Sequence, residues 1–156
     1  MLIIKNNSEV TITHLNRQWA KYVSAARIAN WCEVAVSFLP PPAHPYKIAV
    51  VLADDAFVQP LNKHYRGMDK PTNVLSFAGQ GEETGDIILA FETIKQEAKA
   101  QKKSFARHTC HLIVHGTLHL LGFDHEKEKE ARIMEKLETE IVTQLGFPDP
   151  YQPIKE

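Results

Sequence analysis

The stretch HGTLHLLGFDH, residues 115–125, decides how this chain reads, because it sets three imidazoles at a spacing that one transition-metal ion can span. His115 and His119 are four residues apart, so on a helix both rings leave the same face about one turn apart. Gly122 follows within a turn and can take the left-handed conformation that ends a helix, returning His125 to the same ion. Three neutral imidazoles leave a fourth coordination position for water, as in catalytic zinc sites and unlike closed structural ones. The motif predicts an open metal site at the C-terminal end of a helix, and a metal-dependent hydrolase.

The spacing repeats that of the metzincin proteases, HExxHxxGxxH, except that Gly116 stands where those enzymes keep their general-base glutamate. A residue without a side chain cannot accept a proton, which argues against peptide hydrolysis and moves the chemistry to another class. One HxxxH pair alone is more often two ordinary core or surface histidines; the third histidine and the glycine turn distinguish this stretch. His111 and His108 lie one and two turns before His115 and compete for ligation. A straight helix carrying His111, His115 and His119 would spread its ligands over about 12 Å, too far for metal bonds of about 2 Å. The ligand set is therefore His115, His119 and His125, with His111 as a supporting or cleft-wall residue.

A length of 156 residues predicts a single domain spanning 1–156. No apolar run approaches the roughly 18 residues of a membrane span, and the N-terminus lacks a secretory signal, so a soluble, cytoplasmic protein is expected. Cys32 and Cys110 stand alone, without CxxC pairing, and read as buried small hydrophobes. A formal net charge of −1 carries no overall signal for nucleic acid. Locally, Lys95, Lys99, Lys102, Lys103 and Arg107 outnumber Glu92 and Glu97, a patch that either guides phosphates or is a solvated helix face. From Glu126 to Glu140, six glutamates meet four basic residues, which suits an exposed, salt-bridged face remote from substrate.

Strands are expected at Leu2 to Lys5, Val10 to Thr13, Glu33 to Leu39, Lys47 to Leu52, Asn73 to Ala78 and Asp86 to Ala90. Leu15 to Asn30 reads as an amphipathic helix, and Pro40, Pro41, Pro42 and Pro45 as a stiff loop between strands. Asp54 caps a helix running towards Tyr65 and ended by Gly67, with Pro60 kinking it or delaying its start. Thr93 to Lys103 has helical composition. The histidine helix covers Ser104 to Leu121 with Ser104 as cap, and a last helix runs from Lys127 to Leu145 before Gly146.

A second informative segment is LNKHYRGMDKPTNVLSF, Leu61 to Phe77. Its Arg66 suits phosphate, because a planar guanidinium holds two oxygens at once and offsets charge building at phosphorus. Taken singly, it also reads as an ordinary surface arginine. Together with GDI at Gly85 to Ile87 and the histidine motif, in that order, this segment resembles the YbeY family of bacterial RNA-processing endoribonucleases. The resemblance covers most of the chain from Leu61 onward. It implies zinc ligation by His115, His119 and His125, RNA cleavage requiring Arg66, and a direct catalytic part for His115. It also implies ribosomal RNA maturation, including 16S 3′-end processing, and ribosome quality control, with the small ribosomal subunit and ribosome-associated proteins as partners. The chain departs from the family's pattern at Asn73, where many relatives carry aspartate, at Ala78, where they carry proline, and in its short segment between Phe77 and Gly85. Asn73 removes a carboxylate that could serve as base.

The fold expected is α+β: a mixed sheet packed with helices around a central histidine-bearing helix, with a zincin-like metal site. One zinc ion is the expected cofactor, although imidazole also accepts other divalent transition metals. Single-stranded RNA is the expected substrate, since a recessed metal is hard to reach from inside a duplex; neither DNA nor membrane is expected as a partner. Asp124 either orients an imidazole or shuttles a proton, or else bonds its own backbone in a turn. The rival functions are a metallopeptidase or amidase, favoured by spacing and opposed by Gly116, and a non-catalytic ribosome-binding module with a structural metal.

Overall fold

A mixed sheet organises the computed structural model, which describes residues 1–5, 8–40 and 45–152. Strands β1 (Leu2–Lys5) and β2 (Ser8–His14) are antiparallel, β3 (Lys47–Ala53) is parallel to β2, and β5 (Gly85–Ala90) is parallel to β3. The remaining strand, β4 (Val74–Ala78), pairs antiparallel with β5, giving the order β1-β2-β3-β5-β4 with β4 on an edge. The run GDIILA of β5 is continuously apolar after Asp86 because both of its faces are covered. Ile87 and Leu89 join the main core, whereas Ile88 and Ala90 join a smaller cluster with Val58 and Leu75. Gly85 has φ +151, and a Cβ there would run into the Phe77 carbonyl oxygen and the Leu120 side chain. That close approach explains the glycine of GDI.

Among the described residues five α-helices complete the fold: α1 (Ala25–Ser37), α2 (Asp55–Arg66), α3 (Phe91–Ala100), α4 (Phe105–Leu120) and α5 (Glu128–Gln144). The histidine helix α4 is central, packing on α1, α3, α5, β4 and β5. Ile113, Val114 and Leu118 bury its apolar face, and the Ser104 hydroxyl accepts from Arg107 N at 3.1 Å as the expected cap. The structure is thus the α+β arrangement with a mixed sheet that the pattern predicts. Among the described residues, no helix is long and apolar enough to cross a membrane. Cys32 and Cys110 are both buried and free.

Three expectations need correction. Leu15 to Asn30 is not one helix: a 3-10 turn at Arg17–Lys21 precedes α1, which starts only where the Ser24 hydroxyl accepts from Arg27 N at 3.2 Å. Glu33 to Leu39 is not a strand, since its residues through Ser37 form the second half of α1. Short apolar runs are ambiguous between the two periods; here Ile28, Cys32 and Ala35 recur at helical spacing, are fully buried, and override the β preference of Val34 and Val36. The proline loop therefore joins a helix to β3, with Pro41 and Pro42 lying outside the described residues. Pro60 does not delay α2, which starts at Asp55 under the Asp54 cap. The proline removes a donor to the Ala56 carbonyl, and both residues are exposed, so water can replace that bond.

Candidate metal centre and cleft

The turn that ends α4 builds the site. Gly122 has φ +99, its N–H donates to His119 O at 3.1 Å, and Phe123 N donates to Leu118 O at 3.0 Å, the paired bonds of a Schellman cap. The chain reverses there and returns His125 to the two helical rings. Centroid separations are 4.5 Å for His115–His119, 4.8 Å for His119–His125 and 5.3 Å for His115–His125. One nitrogen from each ring lies within 4.8 Å of the other two.

The donor chemistry fits a transition metal. His119 Nδ1 lies 3.0 Å from Phe123 O, so this nitrogen carries the proton and leaves Nε2 with its lone pair. His115 Nδ1 lies 2.9 Å from Glu138 Oε1, which leaves its Nε2 available in the same way. Such fixed tautomers are what ligating imidazoles require. Burial lowers the pKa of His119, and the charges of His115 and His125 push the same way, outweighing the Phe123 bond and Asp124; its neutral, ligating form is favoured. These three histidines could hold a metal ion, and the remaining open side faces a cleft.

That cleft has a volume of about 650 Å³, and Arg66, Asn73, Ser76 and Asp124 line it together with the three histidines. Arg66 is the last residue of α2, and Gly67 follows as a left-handed cap at φ +73, as expected from the sequence. Among the described residues Arg66 forms no ion pair, so its guanidinium is unengaged. Asn73 is held on both sides of its amide: the nitrogen donates to Glu97 Oε1 at 2.9 Å and Oδ1 accepts from Val74 N at 2.7 Å. An aspartate at this position would set two carboxylates against each other, so asparagine suits the Glu97 of this chain. Asp124 Oδ1 accepts from His125 N at 2.6 Å, the turn-forming role, which also steadies the backbone of the third histidine.

Gly116 faces the sheet. A Cβ there would lie 3.0 Å from Ser76 Oγ and 3.1 Å from Ile87 Cγ2, and Ser76 Oγ donates to Gly116 O at 3.3 Å. The residue is glycine for close helix–sheet packing, a reason the protease comparison does not supply.

Sequence reasoning missed Glu138. It falls in the run read as a solvated face, yet its side chain is 1% exposed and accepts from both His111 Nε2 and His115 Nδ1 at 2.9 Å. Burial alone would raise its pKa, but the bonds and charges of His111 and His115 outweigh it and hold the carboxyl down at about 2. A signal existed: Met134, Glu138 and Ile141 share one helical stripe, and a charge within an apolar stripe demands partners. His111 therefore supports the site through Glu138. The basic patch divides, since Lys103 Nζ donates to Pro150 O at 2.8 Å and Arg107 Nη2 to Asp149 O at 3.0 Å, both anchoring the C-terminal segment.

His108 lies away from the cleft, with Nε2 at 2.8 Å from Glu97 Oε1 and Nδ1 buried without a partner. Burial pushes its pKa below 6.5, outweighing the Glu97 bond and charge, and the charges of His111 and Lys103 push the same way. The unfolded chain thus binds this proton first as pH falls. Stability from neutral His108 is intact above pH 6.5 and declines below it, towards the depressed folded value. Replacing His108 by glutamine is expected to flatten this loss, by up to about 1.4 kcal/mol per pH unit. Denaturant melts of both proteins between pH 7.5 and 5, roughly the window in which histidine titrates, check it; parallel stability curves would exclude the contribution.

Residues 9–146 match the family profile described as Endoribonuclease YbeY. A protein of that name from Rhodopseudomonas palustris is 52% identical over 115 residues, covering 67% of this chain and 68% of its own. Another, from Paramagnetospirillum magneticum, is 47% identical over 137 residues, covering 81% and 84%. The solution structure of TM1509 from Thermotoga maritima superposes with a TM-score of 0.61 at 21% identity, over 92% of this chain and 99% of that one. That structure has the same fold.

Proposed function

The chain belongs to the endoribonuclease YbeY family, and from that premise we propose that it is a zinc-dependent, single-strand-specific endoribonuclease acting in one domain. The observation that carries this reading is the shared cleft: among the described residues an unpaired guanidinium lines it together with three imidazoles, two of which, His115 and His119, are held in the tautomer that leaves Nε2 its lone pair. His115, His119 and His125 are the proposed ligands. A zinc ion held by them supplies Lewis-acid polarisation at neutral pH. Arg66 grips the scissile phosphate and neutralises charge that grows at its oxygens. By family resemblance His115 also takes part in catalysis, and with Nδ1 committed to Glu138 it does so through the metal held at Nε2. Asn73 is an amide that donates to Glu97 and offers no carboxylate base, whereas Asp124 lines the cleft with Oδ1 accepting from a backbone N–H.

Single-stranded RNA fits because His115 and His119 are half-buried near the end of α4, where a splayed strand reaches more easily than a duplex. Family resemblance supports ribosomal RNA maturation including the 16S 3′ end, ribosome quality control, association with the small ribosomal subunit and its proteins, and action in the cytoplasm.

The test is an assay on labelled single-stranded RNA and on casein, with chelator and metal add-back. RNA cleavage that chelation abolishes and zinc restores is expected, with casein intact; casein cleavage with intact RNA would sink the reading. Product ends identify the nucleophile, since a 2′,3′-cyclic phosphate marks attack by ribose.

A further inference from the structure

Glu138 is contributed by α5, far in sequence from the histidine motif, and a carboxylate this deeply buried is retained only among donors. Three surround it. His115 Nδ1 and His111 Nε2 share Oε1 at 2.9 Å each, and the Tyr151 hydroxyl donates to Oε2 at 2.8 Å. An ionised carboxylate has no proton to give, so both imidazoles must be the donors. Tyr151 is in turn held by its own segment: its N–H donates to Asp149 Oδ1 at 2.9 Å, while Lys103 and Arg107 bind the carbonyls of Pro150 and Asp149.

We propose that Glu138, clamped by Tyr151 and His111, is a positioning residue for His115, fixing the tautomer and ring orientation that present Nε2 to the metal. Residues 149–152 are thereby a working part of the metal centre. The inference rests on the assignment of His115, His119 and His125 as ligands. Its physical content is a contrast between the two helical histidines. His119 is set by the Phe123 carbonyl, which the Schellman turn places automatically. His115, in mid-helix, finds no such carbonyl and takes its acceptor from another helix. Without that acceptor the ring is free to protonate at Nε2, the form that cannot ligate there.

The experiment uses the full chain with Glu138→Leu, which keeps volume without an acceptor, Glu138→Gln, which keeps an acceptor without the charge, and Tyr151→Phe. Zinc affinity is measured by competition with a chromophoric chelator, histidine tautomers by ¹⁵N spectra of the metal-free protein, and folding by thermal melts. Leucine is expected to weaken zinc binding towards 100-fold and to mix the His115 tautomers, glutamine to weaken it about tenfold, and Tyr151→Phe a few-fold, within the range for groups that support a ligand. Wild-type zinc affinity in both Glu138 variants overturns the proposal; if leucine fails to fold, unchanged affinity in Glu138→Gln does so alone. A wild-type chain that takes up no zinc, or His119→Ala that keeps it, refutes the ligand assignment instead.

Discussion

Arg66→Ala is expected to lower cleavage of single-stranded RNA about a hundred- to thousandfold while leaving metal content unchanged, the loss typical when one preorganised charge-stabilising donor is removed. The separation follows from position. Arg66 is the last residue of α2, lines the same cleft as the histidines, is exposed, and bonds none of them, so its removal leaves the three imidazoles in place. His115→Ala should behave differently, losing the metal and cleavage together, because the deleted ring is one of the three proposed donors. Arg66→Lys should recover only part of the activity, since an ammonium restores charge without the two-point grip. Metal analysis beside single-turnover RNA cleavage reads all three. Full activity in Arg66→Ala would remove the phosphate role and favour a non-catalytic module; full metal occupancy in His115→Ala would overturn the ligand set.

The site was legible where local rules determine structure. Ser104, Gly122 and the four-residue histidine spacing bound α4 and place its two rings on one face, and Asp54 with Gly67 bound α2 in the same way. Reading failed where tertiary packing decides. Trp31 to Val36 suits strand and helix equally by composition, and only burial against α4 selects the helix. Glu138 was hidden for a related reason: its neighbours Glu135, Lys136 and Glu140 are solvent-side charges, and the partner that gives it meaning lies 23 positions earlier. Arg66 stands between these cases, since its helix end was readable but its place on the histidines' cleft depends on how α2 and α4 pack against the sheet.

Restoring the protease spelling tests the packing argument most severely. Gly116→Glu recreates HExxH, yet it is expected to cost about 3–5 kcal/mol or to prevent folding, and to confer no casein hydrolysis. The first atom of any side chain at 116 already meets Ser76 Oγ at 3.0 Å and Ile87 Cγ2 at 3.1 Å, and Ile87 is fully buried. A glutamate would have to bury its charge between α4 and the sheet, or reach the cleft by displacing Ser76 and breaking its bond to the Gly116 carbonyl. Gly116→Ala supplies the control. Its single methyl meets the same two atoms, but the helix gains about 1 kcal/mol from replacing glycine, so a net change within about 1–2 kcal/mol is expected. Denaturant melts of both variants, with casein and RNA assays on whatever folds, decide the matter. A stable Gly116→Glu protein that cleaves casein would show the cleft to be a peptidase site one residue from activity. The packing predicts instead that β4 and β5 close this position, so that the separation from peptidase chemistry lies in the fold as well as in the missing carboxylate.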